Sequence, residues 1–290
     1  MSLASRLFIG LQYLWPQHGI TALIHWLTRR RQPTLTRWLI RGFQALYPIN
    51  MAEALHPDTK HFATFNEFFT RALAPGARPL DKTPDSLVSP CDGTVSEFGT
   101  LSGEHLLQAK LAAKSFRYSL TELLADPESA HRYVDGSFAT LYLAPYDYHR
   151  VHMPISGTLT SVRYVPGALF SVNGATARAV PKLFARNERV IVEFNTALGP
   201  LSVIFVGALN VGSISIVGLG DLTPCSPRQS RSFSLTEPAM EFLKGAELGR
   251  FNMGSTVILL LPPNTIRFAP SLQVGATVRM GRALGQWRCA

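Results

Sequence analysis

From about residue 86 onward, the chain consists of short apolar and β-branched runs separated by Gly, Pro, Asn and Asp. Such runs predict strands, because strands in globular proteins are short and are bounded by turn-forming residues. Neither βαβ alternation nor a GxGxxG sequence occurs, which argues against a nucleotide-binding sheet. We therefore expect an α+β protein whose N-terminal amphipathic helices precede a mostly antiparallel β-sandwich or partly closed barrel. The predicted strands span residues 138–143, 157–164, 190–193, 201–206, 211–217, 256–261 and 276–280, and short helices are predicted at 65–72 and 120–124.

The positive charge of the chain is concentrated at its N-terminus. The 290 residues carry 28 Lys and Arg against 19 Asp and Glu, a formal net charge of +9. Six arginines lie among the first 50 residues, which contain no Lys, Asp or Glu. The rest of the chain is nearly neutral, which argues against broad nucleic-acid binding. Three widely separated cysteines form neither a disulfide framework nor a CxxC zinc pattern, so a reducing compartment is expected.

The first 50 residues predict three short amphipathic helices at 3–14, 20–30 and 34–47. Pro16 and Gly19 argue against one continuous membrane span, and no signal-peptide cleavage site follows the apolar stretch. Arginine-rich faces opposite Trp, Phe and Leu are typical of helices that lie on a membrane surface. The alternative is that these helices cap the body, but solvated helix faces usually carry acids as well as bases. We therefore predict that residues 1–50 bind a membrane surface and that residues 51–290 form a catalytic domain.

Three segments contain residues that could carry chemistry. Asp92 lies in a turn flanked by Pro and Gly, where Asp is also favoured for conformational reasons alone. His149 and His152 lie in a segment whose prolines argue against a helix, and in a regular strand they would face opposite sides. A metal site at these histidines is therefore only weakly supported, and the segment must bend if both serve one site. Ser255 follows Gly254 and opens a strongly apolar strand, which is also consistent with a simple turn.

These segments together supply Asp, His and Ser, the parts of an activated-nucleophile triad. Ser255 is not part of a GxSxG elbow, so an ordinary α/β-hydrolase is disfavoured. Gly254 has no Cβ, which leaves its carbonyl carbon open to attack by the neighbouring hydroxyl of Ser255.

Six blocks of the sequence resemble, in order, those of the bacterial membrane-associated phosphatidylserine decarboxylase proenzymes, which are pyruvoyl-dependent. No single block is specific, but their combination over about residues 60–260 is highly specific. The Met-Gly-Ser-Thr of residues 253–256 differs from the usual Leu-Gly-Ser-Thr of the family by one mild apolar exchange. The six blocks are residues 65–71, 89–95, 148–154, 166–173, 206–214 and 249–258.

The resemblance implies a self-processing lyase that converts phosphatidylserine to phosphatidylethanolamine and carbon dioxide in phospholipid biosynthesis. Cleavage between Gly254 and Ser255 would produce a β chain of residues 1–254 and an α chain of residues 255–290. Ser255 would become a covalent pyruvoyl cofactor at the start of the α chain, where it would form a Schiff base with the substrate amine.

The resemblance also implies roles for individual residues. Asp92, His152 and Ser255 would form the self-processing triad, in which Asp92 orients His152 and His152 accepts the hydroxyl proton of Ser255. His149 would be the acid or base of the decarboxylation. No metal ion is implied, and the only cofactor is the pyruvoyl group derived from the chain itself.

The implied partners are phosphatidylserine and an anionic membrane surface that the N-terminal helices contact. The enzyme would then be a peripheral protein on the cytoplasmic side of the cell membrane. It would be an α/β heterodimer, and whether two such heterodimers associate stays an open question. Two other functions also stay open on the residues alone. One is a lipid-directed serine hydrolase or acyltransferase that uses the same triad uncleaved, and the other is an inactive membrane-binding β-sandwich adaptor.

Overall fold

The computed structural model describes residues 3–111, 114–209, 213–223, 228–233, 239–253 and 255–287. Three helices of 12 to 14 residues form the N-terminal region, and the first has the predicted bounds. A capping box between Ser119 and Glu122 begins a short helix in the body, and this helix has the predicted bounds of 120–124. The helices are α1 (Leu3–Leu14), α2 (Gln17–Thr28), α3 (Pro33–Leu46), α4 (Phe65–Phe69), α5 (Leu120–Leu124), α6 (Pro127–His131), α7 (Gly174–Ala177) and α8 (Leu183–Arg186), with 3-10 turns at Met51–Glu53 and Thr59–His61.

The body is mainly β-structure, and each predicted strand is present with bounds that differ by a few residues. Residues 211 and 212 of one prediction lie outside the described part of the chain. The strands are β1 (Ser86–Val88), β2 (Gly93–Thr100), β3 (His105–Leu111), β4 (Lys114–Ser119), β5 (Ser137–Tyr142), β6 (Arg150–His152), β7 (Gly157–Val165), β8 (Arg189–Thr196), β9 (Gly199–Val206), β10 (Ile214–Ile216), β11 (Gly220–Asp221), β12 (Arg231–Phe233), β13 (Glu241–Phe242), β14 (Glu247–Phe251), β15 (Thr256–Leu261), β16 (Ile266–Phe268), β17 (Thr277–Val278) and β18 (Ala283–Trp287).

The largest sheet joins strands that are far apart in sequence. Its order is β12-β7-β8-β9-β15-β5-β2-β17, with β13 also paired to β7. Every pair of described strands is antiparallel, which confirms the predicted α+β class. Strands β12 and β17 are the two ends, so the described strands do not close into a barrel. All six residues of β15 are buried between β9 and β5, because the run is apolar on both faces.

A smaller sheet of order β11-β10-β14-β6 lies beside the segment that contains both candidate histidines. The chain turns at Pro145–Asp147, His149 precedes β6, and His152 is the last residue of that short strand. The turn lies before both histidines, and His149 stands outside β6, so the two histidines do not belong to one regular strand.

One face of the N-terminal helices packs on the body through buried glutamines. The side chain of Gln12 accepts a hydrogen bond from the Ser171 amide at 2.7 Å, and that of Gln17 accepts one from the Leu169 amide at 2.7 Å. On α3, Ile40 packs in a small core with three phenylalanines of α4. These helices therefore cap the body, which was the alternative to membrane binding in the sequence analysis.

The opposite face of the same helices exposes large apolar side chains. Leu14, Trp38 and Leu46 are 81%, 71% and 76% exposed, and Leu7, Leu23 and Trp26 are exposed as well. Among the described residues, no helix has the length and apolar character needed to cross a bilayer.

Candidate active site

The register of three adjacent strands brings two of the predicted site segments to one edge of the large sheet. Tyr142, the last residue of β5, pairs with Thr94 on one side and with Thr256 on the other. Asp92 and Ser255 directly precede these strands and therefore lie at the same edge. Gly93 is required here, because a Cβ at this position would lie 2.4 Å from the Tyr142 carbonyl oxygen.

Ser255 is completely buried, and its hydroxyl makes no hydrogen bond to a described residue. Its carbonyl accepts a hydrogen bond from the Leu143 amide at 2.8 Å, which holds the backbone in place. Leaving a buried hydroxyl without a hydrogen-bond partner costs about 1–3 kcal/mol. Met253 has φ of +151°, a conformation that side-chain-bearing residues rarely adopt, and Gly254 lies outside the described residues. The serine is thus a buried, unengaged hydroxyl next to strained backbone.

Both ring nitrogens of His152 have partners. Nδ1 lies 2.8 Å from the carbonyl oxygen of Gly245, and Nε2 lies 3.0 Å from the hydroxyl of Tyr148. Because a carbonyl can only accept, Nδ1 carries the proton, and Nε2 accepts from Tyr148. Burial lowers the pKa of His152, opposed by the hydrogen bond to Gly245 and the charge of Glu247. The imidazole is therefore neutral at pH 7, with its lone pair on Nε2.

Asp92 pairs with an arginine in this structure. Arg78 donates from Nε to both carboxylate oxygens at 2.9 and 3.0 Å and from a terminal nitrogen at 2.5 Å. The Met280 amide donates to the same carboxylate at 2.9 Å. Burial opposes the charge of Arg78, but the hydrogen bonds that it donates to Asp92 and Glu53 outweigh this effect and raise the pKa of the guanidinium.

Within the described residues, no hydrogen bond joins the three members of the predicted triad. The Asp92 segment and His152 are nonetheless adjacent, because the His152 amide donates to the Pro90 carbonyl at 2.7 Å. The charge of Asp92 also acts on His152, where it favours the protonated ring. The structure therefore places Asp92 and His152 together without the direct contact that a completed triad would show.

His149 is completely buried, and its ring stacks on Phe69 with centroids 4.1 Å apart. Neither ring nitrogen makes a hydrogen bond of normal geometry to a described residue. The pKa of His149 is lowered to about 3, mainly by burial and secondly by the charge of Arg71. The backbone of Ala144 and Pro145 opposes this shift, because it favours the charged ring. His149 is therefore neutral at pH 7 in this structure.

A metal ion finds no ligand set at these histidines. His152 already uses both nitrogens, and among the described residues no group of three His, Cys, Asp or Glu side chains could hold a metal. Asp147, whose pKa burial raises to about 6, accepts instead from the Ala144 amide at 2.7 Å.

A mainly apolar cavity of about 720 Å³ lies between the N-terminal helices and this edge of the body. Phe8 and Trp15 line it from α1 and the turn after it, Phe43 lines it from α3, and Phe69 and Met253 line it from the body. Phe69 also stacks on His149, and Met253 lies two residues before Ser255, so the cavity adjoins the candidate site. Its size and apolar lining suit a lipid chain.

Sequence reasoning missed Arg78 and Tyr148 as members of the site. Arg78 lies in a loop outside every block used for the resemblance, and nothing local distinguishes it from a surface arginine. Tyr148 lies inside a block rich in aromatic and imidazole rings, which is the one signal that could have drawn attention to it.

Comparisons with known proteins match nearly the whole chain to proteins of one description. A family profile described as "Phosphatidylserine decarboxylase" matches residues 65–286, and a second, described as "PSD", matches residues 7–48. A phosphatidylserine decarboxylase proenzyme of Methylococcus capsulatus is 46% identical over 288 residues, 99% of each chain. Proteins of the same description from Pseudomonas putida and Vibrio cholerae are 47% and 48% identical, covering 97% and 95% of this chain and 98% and 97% of their own lengths.

Proposed function

Since the chain belongs to the phosphatidylserine decarboxylase family of proenzymes, we propose that it makes a pyruvoyl group from its own Ser255. The reaction of the family is that of a carboxy-lyase in phospholipid biosynthesis, which releases carbon dioxide from phosphatidylserine. The observation that carries the proposal is the Ser255 hydroxyl, which is buried, unpartnered and placed directly after Gly254. A serine in this state is available to react with its own backbone, and it fits the precursor of a buried prosthetic group.

The proposed self-cleavage begins at the Ser255 hydroxyl. Its oxygen attacks the Gly254 carbonyl carbon, and the peptide bond becomes an ester with a free amine on Ser255. Loss of the Cα proton of Ser255 then breaks the ester, so that Gly254 leaves as a carboxylate and a dehydroalanine remains. Hydrolysis of that residue yields the pyruvoyl group and ammonia.

His152 is the proposed base of this self-cleavage. Its Nε2 holds the lone pair, and its lowered pKa keeps the ring neutral at pH 7. The hydroxyl of Tyr148 must turn away from Nε2, or relay the proton by giving its own to Nε2 while it takes that of Ser255. Asp92 would support the imidazolium by its charge, which requires that Arg78 leave part of the carboxylate free.

In the decarboxylation, the pyruvoyl carbonyl supplies the electron sink that pyridoxal phosphate supplies in other decarboxylases. We assign His149 to the return of a proton to the substrate carbon. Because its pKa in the uncut chain is about 3, His149 must gain basicity when cleavage and substrate change its surroundings. The stacking on Phe69 holds the ring at the wall of the apolar cavity.

We predict that the purified protein contains two chains that stay together after cleavage. The α chain begins with β15, whose six buried residues form the centre of the large sheet between β9 and β5. Its later strands pair with the β chain as well, β17 with β2 and β18 with β1. Denaturing mass spectrometry should show chains of residues 1–254 and 255–290, and native mass spectrometry should show both in one species.

Two results would contradict this prediction. An active protein that remains one chain with an unmodified serine would favour the hydrolase or acyltransferase alternative. A cleaved protein that loses residues 255–290 under native conditions would contradict the structural role assigned to β15.

We further propose that the exposed apolar face of α1 to α3 lies on an anionic membrane surface, at the cytoplasmic side. Arg29 is engaged with Asp221 at 2.8 Å, so it contributes little to this surface. The four remaining arginines of α2, α3 and their connection are exposed and make no ion pair with a described residue, although Arg30 stacks on Trp26 and Arg37 donates to the Pro33 carbonyl. Each would contribute on the order of 1 kcal/mol near an anionic leaflet. These residues are Arg30, Arg31, Arg37 and Arg41.

Replacing Leu14 and Leu46 together by serine should weaken binding to vesicles that contain phosphatidylserine. The two side chains are 81% and 76% exposed, so the change should leave the fold intact. Burial of one leucine contributes about 1.5–3 kcal/mol, so the loss should be at least about tenfold per residue. Vesicle cosedimentation of the purified variant measures the effect.

The matched control replaces Leu243 and Val274, which are 72% and 56% exposed on the body, by serine. This double variant should bind vesicles as the unmodified protein does. Equal binding by both double variants and the unmodified protein would contradict the proposed membrane face.

A further inference from the structure

Arg71 is a buried cation that the described residues leave unpaired. The residue is 5% exposed, its Nε is completely buried without a hydrogen-bond acceptor, and its side chain makes no hydrogen bond or ion pair with a described residue. The closest favourable contact is the face of Phe68, 5.7 Å from the guanidinium carbon. A buried charge without a partner is costly, so such a group points to a missing anion.

The charges around Arg71 do not supply that anion. Asp92, Glu53 and Asp147 act on it from a distance, but none of them pairs with it. The carboxylates of Asp92 and Glu53 are bound to Arg78, at 2.5 and 2.7 Å. The carboxyl of Asp147 accepts a hydrogen bond from the Ala144 amide. Burial therefore prevails and lowers the pKa of Arg71. On the side of the candidate site, Arg71 acts on His149, a neutral ring, and Tyr148 lies within range of its charge.

The position of Arg71 suits a ligand contact. It comes two residues after Phe69, which stacks on His149 and lines the apolar cavity. A lipid whose chains occupy that cavity would bring its head group toward His149 and Arg71. A guanidinium offers five N–H donors in a planar fork, which matches the geometry of a carboxylate or a phosphate.

We propose that Arg71 binds an oxyanion of the substrate head group. The proposal rests on the proposed function, since it takes the site around Ser255 and His149 as the place of catalysis. Phosphatidylserine carries two such oxyanions, the phosphodiester and the serine carboxylate, and the product retains only the phosphodiester. Arg71 thus acts as a substrate-binding residue, and the cost of its burial is offset when the lipid is bound.

The test replaces Arg71 by methionine, a neutral residue of similar length, in the complete chain. The processed enzyme should show a KM for phosphatidylserine in mixed micelles that is raised about 10- to 100-fold, the range expected for lost hydrogen bonds to charged groups. Arg71→Lys, which keeps the charge but loses the fork, should give a smaller rise. Arg117→Met, at an exposed position of β4, should leave KM unchanged.

Thermal unfolding without lipid separates a binding role from a structural one. If Arg71 awaits a ligand, Arg71→Met removes an unpaired buried charge and should raise the unfolding midpoint, by about 2 °C or more. A structural arginine would instead lower the midpoint when it is replaced.

Two soluble inhibitors distinguish the two oxyanions. Glycerophosphoserine carries both groups, and glycerophosphoethanolamine carries only the phosphodiester. Weaker inhibition of Arg71→Met by both compounds would assign the phosphodiester, and weaker inhibition by glycerophosphoserine alone would assign the carboxylate.

An unchanged KM and unchanged inhibition in processed Arg71→Met would overturn the proposal while leaving the proposed function intact. A lowered unfolding midpoint, or failure of both Arg71 variants to self-cleave, would assign Arg71 to the fold or to processing and would also overturn it. An unmodified chain that is active without cleavage at Ser255 would overturn the proposed function itself.

Discussion

Replacement of Ser255 by alanine is expected to yield a folded, uncut chain of 290 residues without decarboxylase activity. The alanine removes the hydroxyl that attacks Gly254 and with it the source of the pyruvoyl group, so both reactions are lost in one step. The fold should persist, because this hydroxyl makes no hydrogen bond to a described residue. Release of carbon dioxide from phosphatidylserine should fall by at least about 10⁴-fold, as when a nucleophile is removed elsewhere.

A matched control exists on the neighbouring strand. Ser202 of β9 is also completely buried with a hydroxyl that makes no hydrogen bond of normal geometry, but it faces Leu260, at the other end of β15. Ser202→Ala should self-cleave and release carbon dioxide normally. A denaturing gel measures the self-cleavage of the two variants, and a carbon dioxide assay measures their decarboxylation. Cleavage or activity that survives in Ser255→Ala would reject this serine as the reactive residue.

Replacement of His149 by alanine should separate the two reactions. Self-cleavage depends on His152 in the proposed mechanism, so His149→Ala should appear as two chains on a denaturing gel. Decarboxylation should fall by about 10²- to 10⁴-fold, the usual contribution of a positioned acid or base. The expected signature is therefore a complete pyruvoyl signal in the mass spectrum together with a strongly reduced kcat.

The complementary variant is His152→Ala, which should remain uncut. His149→Ala removes a buried ring that stacks on Phe69, so this variant contains a new cavity. Thermal unfolding must therefore show that His149→Ala is folded. His131→Ala, at an exposed position, serves as the surface control. An unprocessed His149→Ala chain that is otherwise folded would contradict the division of roles between the two histidines.

Local patterns were sufficient to predict the elements that carry the site. The run of residues 256–261 begins with three β-branched residues and continues with three leucines, and it forms β15 with the predicted bounds. The apolar periodicity of the first 50 residues likewise predicted three helices, and α1 has the expected bounds. Such signals succeed because a strand or helix depends mainly on neighbours within a few residues.

The hydrogen-bond partners of the predicted site residues could not be predicted from local sequence patterns. Asp92, expected to orient His152, is bound to Arg78, and His152 is instead held by Tyr148 and Gly245. These contacts depend on loops that only the packing of the sheets brings together. The assignment of Asp92, His152 and Ser255 to one triad stays a prediction that the variants above test.

The N-terminal helices show the same division. Their composition alone indicated an apolar, arginine-rich surface, and the exposed leucines and tryptophans agree with it. Gln12 and Gln17, which read in the sequence as interruptions of an apolar stretch, are the buried contacts that fix these helices to the body. The sequence by itself thus indicated the N-terminal helices, the central strands of the large sheet and Ser255 as the candidate reactive serine, because these follow from local pattern and from resemblance. Only the tertiary structure decided which side chains face one another, and it leaves Arg71 without a partner among the described residues, because pairing depends on residues far apart along the chain.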